Sequence, residues 1–248
     1  MTIFKKIALS VALTGGLSMA PADAEENRNR ITVVELFTSQ GCNSCPPADT
    51  ALEDLRDRPG LLTLSWPVDY WDRLGWKDTF GSPAHTERQI AYNQRLGRRG
   101  VYTPQMVFDG RFQGVGSRKS EIRQALFNAR SDDHIYVAPG TGLDGQTIRI
   151  DLPKTDLSNT GSIAVRVVWF LADADVQIGR GENRGRKLHY TNVVRQSDIL
   201  GQWTGEMHTL ELETSIGAAA GADHLAVLLH EKNGHGAIIG ASSVKFTH

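Results

Sequence analysis

The largely apolar run ITVVELF, residues 31–37, ends five positions before the only two cysteines of the chain, Cys42 and Cys45. A helical pattern starts directly behind them. A continuous apolar run bounded by turn residues is the signature of a strand covered on both faces. In PPADTALEDLRDR, Ala48, Leu52 and Leu55 recur at i, i+4 and i+7, which makes one face of a helix. Few folds deliver a buried strand into C-x-x-C at the opening of a helix. Three uses of such a pair compete: electron exchange, metal binding, or closure of a small loop.

The helix opening favours a thiolate, because its unpaired N–H groups and partial positive charge act on the first sulfur. Such a seat lowers a cysteine pKa from about 8.5 toward roughly 3.5–7.5 and makes the sulfur nucleophilic at neutral pH. Two intervening residues let Cys45 reach Cys42 and form a small disulfide. That ring closes too little chain to constrain the unfolded state strongly, so a purely structural bridge is a poor use of the pair. Cys42, N-terminal and expected nearer the surface, reads as nucleophile, and Cys45 as the resolving thiol.

Around this motif, strands and helices alternate through residue 130. LLTLSWPVD is a second buried strand, and SPAHTERQIAYNQRL is a helix with Ser82 as N-cap and Pro83 in the first turn. QMVFDG and RFQGVG form a hairpin on Asp109–Gly110. SRKSEIRQALFNAR is a helix expected to turn Ile122, Leu126 and Phe127 inward. Behind ARSDDH the period changes to two. HIYVAP, QTIRIDL, SIAVRVVWFLAD, RKLHYTNVVRQ, GEMHTLELE, DHLAVLLHEK and GAIIGASSVKF read as strands, with SIGAAAGA as the one helical candidate. The expected fold is therefore an α/β unit over 28–131 followed by an all-β antiparallel sandwich over 132–248, with an Ig-like arrangement as candidate.

The first 24 residues carry a separate signal. MTIFKK is basic, an apolar run of about 14 residues follows, and PADA ends in Ala22-x-Ala24. The run is too short to span the roughly 30 Å hydrocarbon core as a helix. A signal peptide over 1–24, cleaved near Ala24, predicts a periplasmic or secreted protein, where dithiols are not kept reduced by default. The whole chain carries a formal charge of −1; removing Lys5, Lys6 and Asp23 takes away +1 and leaves −2. That balance gives no electrostatic reason to expect nucleic acid or an anionic membrane as partner.

VYTPQMVFDG places Thr103–Pro104 before the hairpin, about 60 residues behind the cysteines. Strand, C-x-x-C, helix, then Thr-Pro before a hairpin and a last helix resembles the thioredoxin superfamily over residues 31–130. More narrowly, ELFTSQGCNSCPPAD, VDYWDRLGWKD, VYTPQMVFDG and GENRGRKLHYTNVVR resemble a bacterial family of secreted thioredoxin-like proteins known as a domain of unknown function. The resemblance implies a cis Pro104 packed against the cysteines, with Thr103 and Pro104 holding the backbone of an incoming peptide. It also implies a buried acid before the motif; Glu35 lies seven residues before Cys42, one more than in many relatives. With an insertion at Gln40–Gly41 it becomes a candidate proton acceptor for the resolving thiol, its ordinary alternative being a strand-end carboxylate. Asn43–Ser44 matches neither reducing nor strongly oxidising relatives, so the direction of electron flow stays open.

The sequence thus predicts an exported thiol–disulfide oxidoreductase without cofactor, acting on cysteine-containing exported proteins or a redox partner. Trp71 and Trp76 in YWDRLGW are candidates for an aromatic rim that receives a chain, or for packing of the loop itself. The alternative is a Cu(I) module in which Met106 joins Cys42 and Cys45, against its plain use as strand filler. A third reading is a non-catalytic docking protein. Histidines are scattered without a ligand motif; RLGRRG reads by default as a solvated loop, and GENRGRK as a basic hairpin turn, with an anion-binding loop as its weaker alternative.

Overall fold

The computed structural model describes residues 30–246, so the expected signal peptide lies outside the described residues. The strand before the cysteines is β1 (Thr32–Thr38), and all seven of its residues are buried. Helix α1 (Pro46–Arg56) follows the cysteine loop, and β2 (Leu61–Pro67) returns parallel to β1, with Thr32 opposite Leu61 and Thr38 opposite Pro67. Helix α2 (Pro83–Arg95) is capped by Ser82, whose side chain accepts from the Ala84 N–H. The hairpin β3 (Gln105–Phe108) and β4 (Phe112–Val115) turns on Asp109 and Gly110, both at positive φ, and α3 (Lys119–Arg130) closes the first half.

Both faces of β1 are covered, as its composition demands. Val34 and Leu36 pack with Leu52 and Leu55 of α1 and Ile122 and Ala125 of α3. Val33 and Phe37, one residue out of phase, pack with Trp66 of β2 and Tyr92 of α2. Alternation along the strand therefore places α1 and α3 on one face and α2 on the other. Phe127 of α3, expected inward, is 65% exposed. The helix turns Ile122, Ala125 and Ala129 to the sheet at i, i+3 and i+7, and Phe127 falls around its outer side.

The second half is built from β5 (Gly140–Asp144), β6 (Thr147–Leu152), β7 (Ile163–Gln177), β8 (Lys187–Trp203), β9 (His208–Glu213), α4 (Thr214–Ala220), β10 (His224–His230) and β11 (Ile238–Lys245). SIGAAAGA is thus helical in its first part. HIYVAP is not a strand, although the Val137 N–H donates to the Ile239 carbonyl of β11. The strand in its place is β5, glycine-containing and largely exposed, which explains why no alternation announced it.

The two halves share one sheet. Eight strands run in the order β11-β10-β7-β8-β2-β1-β3-β4, and β5-β6-β9 form a second, antiparallel sheet. The fold is therefore mixed α/β with a large mixed sheet, and the boundary expected near 131 does not divide the strands into separate sheets. β8 joins β2 in parallel at Ser65–Val193. Asn192, at φ 50°, secures the seam by donating from Nδ2 to the Thr63 carbonyl at 2.9 Å and its hydroxyl at 3.0 Å. Asparagine tolerates this left-handed geometry better than most residues. On the far side, Ile148 and Ile150 of β6 face Val165, Val167 and Trp169 of β7 in a sandwich-like core. Across the seam, Phe37 and Trp66 share a cluster with Val168, Phe170, Ala226 and Leu228, so one core runs through both halves.

Candidate functional site

Cys42 and Cys45 form a disulfide with Cα atoms 5.4 Å apart. The loop folds back on itself through bonds from the Cys42 N–H to the Ser39 carbonyl (3.1 Å) and from the Cys45 N–H to the Cys42 carbonyl (3.3 Å). Cys45 caps α1; its carbonyl accepts from the N–H groups of Ala48 (2.7 Å) and Asp49 (3.1 Å), while Pro46 and Pro47 occupy the turn where a missing N–H costs little. Asn43 and Ser44 face solvent, but both cysteines are 0% exposed. The expectation that Cys42 lies near the surface is therefore corrected: two other segments cover it.

One cover is the segment behind β2. Trp71 donates from Nε1 to Thr103 Oγ1 at 2.8 Å, and its Cβ packs on Gly41, where an added methyl would lie 3.2 Å away. A single side chain thus spans the cysteine loop and the Thr103–Pro104 bond, which is cis. Trp76 donates from Nε1 to Gln40 Oε1 at 2.9 Å. Both tryptophans are half-buried and clasp the loop.

The other cover is the tip of the long β7–β8 hairpin, which GENRGRK encodes. Asn183 is buried and donates from Nδ2 to the carbonyls of Gln40 and Cys42, each at 2.9 Å. Gly179 and Gly181 lie against Trp76: an added Cβ would meet the indole ring at 3.1 Å from Gly179 and the Trp76 Cβ at 3.3 Å from Gly181. GENRGRK is the basic hairpin turn its sequence suggests, and Asn183 makes it also a strap across the disulfide. Asn183→Ala would leave the Gln40 carbonyl without a buried donor and the Cys42 carbonyl with the Cys45 N–H alone, each lost bond worth about 1 kcal/mol. Reduction of the disulfide by a small phosphine should become about tenfold faster, measured by thiol appearance under native conditions; an unchanged rate would show that the strap does not limit access.

Beneath the loop lie two buried carboxyls. Asp49 is four residues after Cys45 on α1, so the two side chains are neighbours on one helix face, with Asp49 leaning back toward the helix start. Burial pushes its pKa up to about 8, against a lowering hydrogen bond from Thr38 Oγ1 at 2.8 Å and a smaller raising effect from Asp78. Asp78 accepts from the N–H groups of Gln40 (2.8 Å) and Phe80 (2.9 Å), and burial raises it to about 6. The Tyr190 hydroxyl of β8 is buried nearby without a partner.

Glu35 is elsewhere. It shares the face of Val33 and Phe37, away from α1, and is 0% exposed. Its Oε1 accepts from Arg88 Nε at 2.8 Å and its Oε2 from the Tyr92 hydroxyl at 2.5 Å. The strand alternation that buries it turns it to the face opposite α1, and the buried carboxyl at i+4 from Cys45 is that of Asp49. Met106 is 0% exposed and packs with Leu36, Ala48 and Leu52 in the apolar core. Among the described residues, no group of three or more His, Cys, Asp or Glu is placed to hold a metal.

The profile of the DUF1223 family, described as a protein of unknown function, matches residues 33–230, from β1 to the end of β10. The chain belongs to this family. The crystal structure of a protein from Agrobacterium tumefaciens superposes with a TM-score of 0.75 at 34% identity, over 88% of this chain and 96% of that one. HBP35 of Porphyromonas gingivalis shares the fold at TM-score 0.60 and 15% identity, over 88% and 76%. No protein with a curated description matches. The match runs across the seam between the halves, so the strap and the cysteine loop lie within one family unit.

Two site residues escaped the sequence reading. Asp49 is legible as the i+4 neighbour of Cys45, but the apolar periodicity of α1 singles out only Ala48, Leu52 and Leu55. Asn183 had no local signal, because its partners lie about 140 residues away in the chain.

Proposed function

We propose that this DUF1223 protein is an exported thiol–disulfide oxidoreductase that exchanges electrons with cysteines of other exported proteins through Cys42 and Cys45. The observation that carries the reading is the disulfide at the opening of α1, with Trp71 linking its loop to the Thr103–Pro104 bond and Asp49 beneath it. The β2-β1-β3-β4 portion with α1, α2 and α3 supports a thioredoxin-like unit. Export rests on the basic and apolar start of the chain. Among the described residues no helix is long and apolar enough to cross a membrane.

In the oxidising direction a partner thiolate attacks the Cys42 sulfur, the Cys42–Cys45 bond breaks, and Cys45 departs with the electron pair. The carboxyl of Asp49 supplies its proton. A second partner thiolate then attacks its own sulfur in the mixed disulfide, so the partner is oxidised and Cys42 released as a thiolate. The reducing direction is the reverse. Thr103 is half-buried and Pro104 buried; once Trp71 is drawn aside, the Thr103 backbone would hold the partner chain against Pro104.

Cys42→Ala should abolish dithiol oxidation and insulin reduction alike. Cys45→Ala should instead accumulate mixed disulfides with exported proteins, visible as reducible adducts on non-reducing gels. Activity of the double variant equal to that of the native chain would end the reading.

A further inference from the structure

On the α2 face of the sheet, where β8 meets β2, a cavity of about 370 Å³ is lined by Trp66, Ser82, Arg88, Arg166, Arg195 and His235, among others. The volume suits a small ligand. Its charge is one-sided. Arg88 is matched by Glu35 at 2.8 Å, but among the described residues no carboxylate pairs with Arg166 or Arg195. Arg166 is 8% exposed and spends one guanidinium nitrogen on Ser197 Oγ at 2.8 Å. Arg195 donates to the Ala220 carbonyl and lies over the Phe80 ring. Asp198 and Glu87 are exposed at the margin, and Asp198 is engaged by Gln196.

The wall also holds unmet hydrogen-bonding capacity. Arg166 Nε, Trp66 Nε1 and His235 Nδ1 are buried without a partner. Buried polar nitrogens are nearly always satisfied, and a buried unpaired cation is costlier still. Three such nitrogens on side chains of one cavity, beside two arginines, Arg166 and Arg195, that form no ion pair among the described residues, describe a site organised for something absent from the chain itself. A guanidinium presents parallel N–H groups that match two oxygens of a planar or tetrahedral oxyanion.

We propose that this cavity binds a small oxyanion, a carboxylate or phosphate group, on Arg166 and Arg195, with the Trp66 and His235 side chains behind it. The site is independent of the thiol chemistry: its residues come from the α2 face, whereas α1 and its cap occupy the other. The anion would neutralise the cationic seam between β7, β8 and α2.

The test is calorimetric titration of the disulfide-bonded mature chain with inorganic phosphate and, separately, with succinate, at ionic strength held constant with sodium chloride. One-to-one saturation by either is expected, with dissociation constants below about 10 mM, and the two arms show whether phosphate or carboxylate is preferred. Arg166→Gln and Arg195→Gln should each weaken binding at least about tenfold. Should the buried Arg166 variant fail to fold, half-buried Arg195 carries the comparison alone. Absence of saturation by both anions, or full affinity in either folded variant, overturns the proposal.

Discussion

Replacing Arg88 by methionine should lower the free energy of unfolding by roughly 3–5 kcal/mol, measured by urea denaturation at pH 7. The guanidinium is almost completely buried, 3% exposed, and Glu35 opposite it is 0% exposed. It donates to Glu35 Oε1 from Nε at 2.8 Å, to the Tyr92 hydroxyl at 2.7 Å and to the Gly234 carbonyl at 3.3 Å, and meets His230 Nε2 at 2.9 Å. It also stacks over the rings of Trp66 and Tyr92 at 4.7 and 4.8 Å. Removing it strands a carboxylate in a low-dielectric core with Tyr92 as its remaining donor. The expected cost is therefore that of an uncompensated charge, which exceeds the net worth of the pair.

The same argument predicts partial rescue. Glu35→Leu combined with Arg88→Met removes both charges, and should recover most of the loss, giving a coupling energy well above the 0.5 kcal/mol that independent sites show. The network ties β1, α2 and the turn after β10, so it bridges the two halves at the seam. A loss under about 1 kcal/mol for Arg88→Met would mean that water or a shifted partner already compensates Glu35.

How much of this was legible follows from the range of the interactions involved. The strand before Cys42, the Ser82 cap and the Asp109–Gly110 turn are decided within a few residues, and the structure places them as read. Alternation in β6 and the apolar runs of β7 and β10 announced strands, but strand identity does not state which edge a strand joins. The seam depends on the Ser65–Val193 pairing and on the Asn192 side chain reaching Thr63, 129 residues away. Glu35 shows the same limit at the site. Its spacing from Cys42 suggested proximity, yet the two-residue period of β1 decides which face it occupies. Asn183 and the strap belong to this long-range class as well. Nothing local distinguishes a hairpin tip that covers a disulfide from one in solvent.

Asp49→Asn should remove most of the stability that the protein loses between pH 6.5 and 8, and should slow reduction of the disulfide about 100-fold near neutrality. The native carboxyl is raised from 3.8 to about 8 by burial. Between those values the folded state holds a proton that the unfolded state has released, so stability falls as pH rises. Below 6.5 the effect is masked. His85 and His235 are lowered by burial to about 4 and His230 well below its ordinary 6.5, so the unfolded state binds the extra protons there and stability rises with pH. Above 6.5 the unfolded imidazoles lose their remaining protons and their opposing slope fades toward about pH 7.5, so the fall belongs increasingly to Asp49, with a smaller share from Asp109, raised by burial to about 7. One proton contributes about 1.4 kcal/mol per pH unit, so Asp49 accounts for roughly 2 kcal/mol over that window. Asparagine keeps the shape and a partner for Thr38 but has no proton to give a departing Cys45 thiolate. A flattened stability profile with an unchanged reduction rate would show that Asp49 is buried beside the cysteine without serving it. Loss of the pH dependence in both measurements ties the carboxyl to the leaving sulfur.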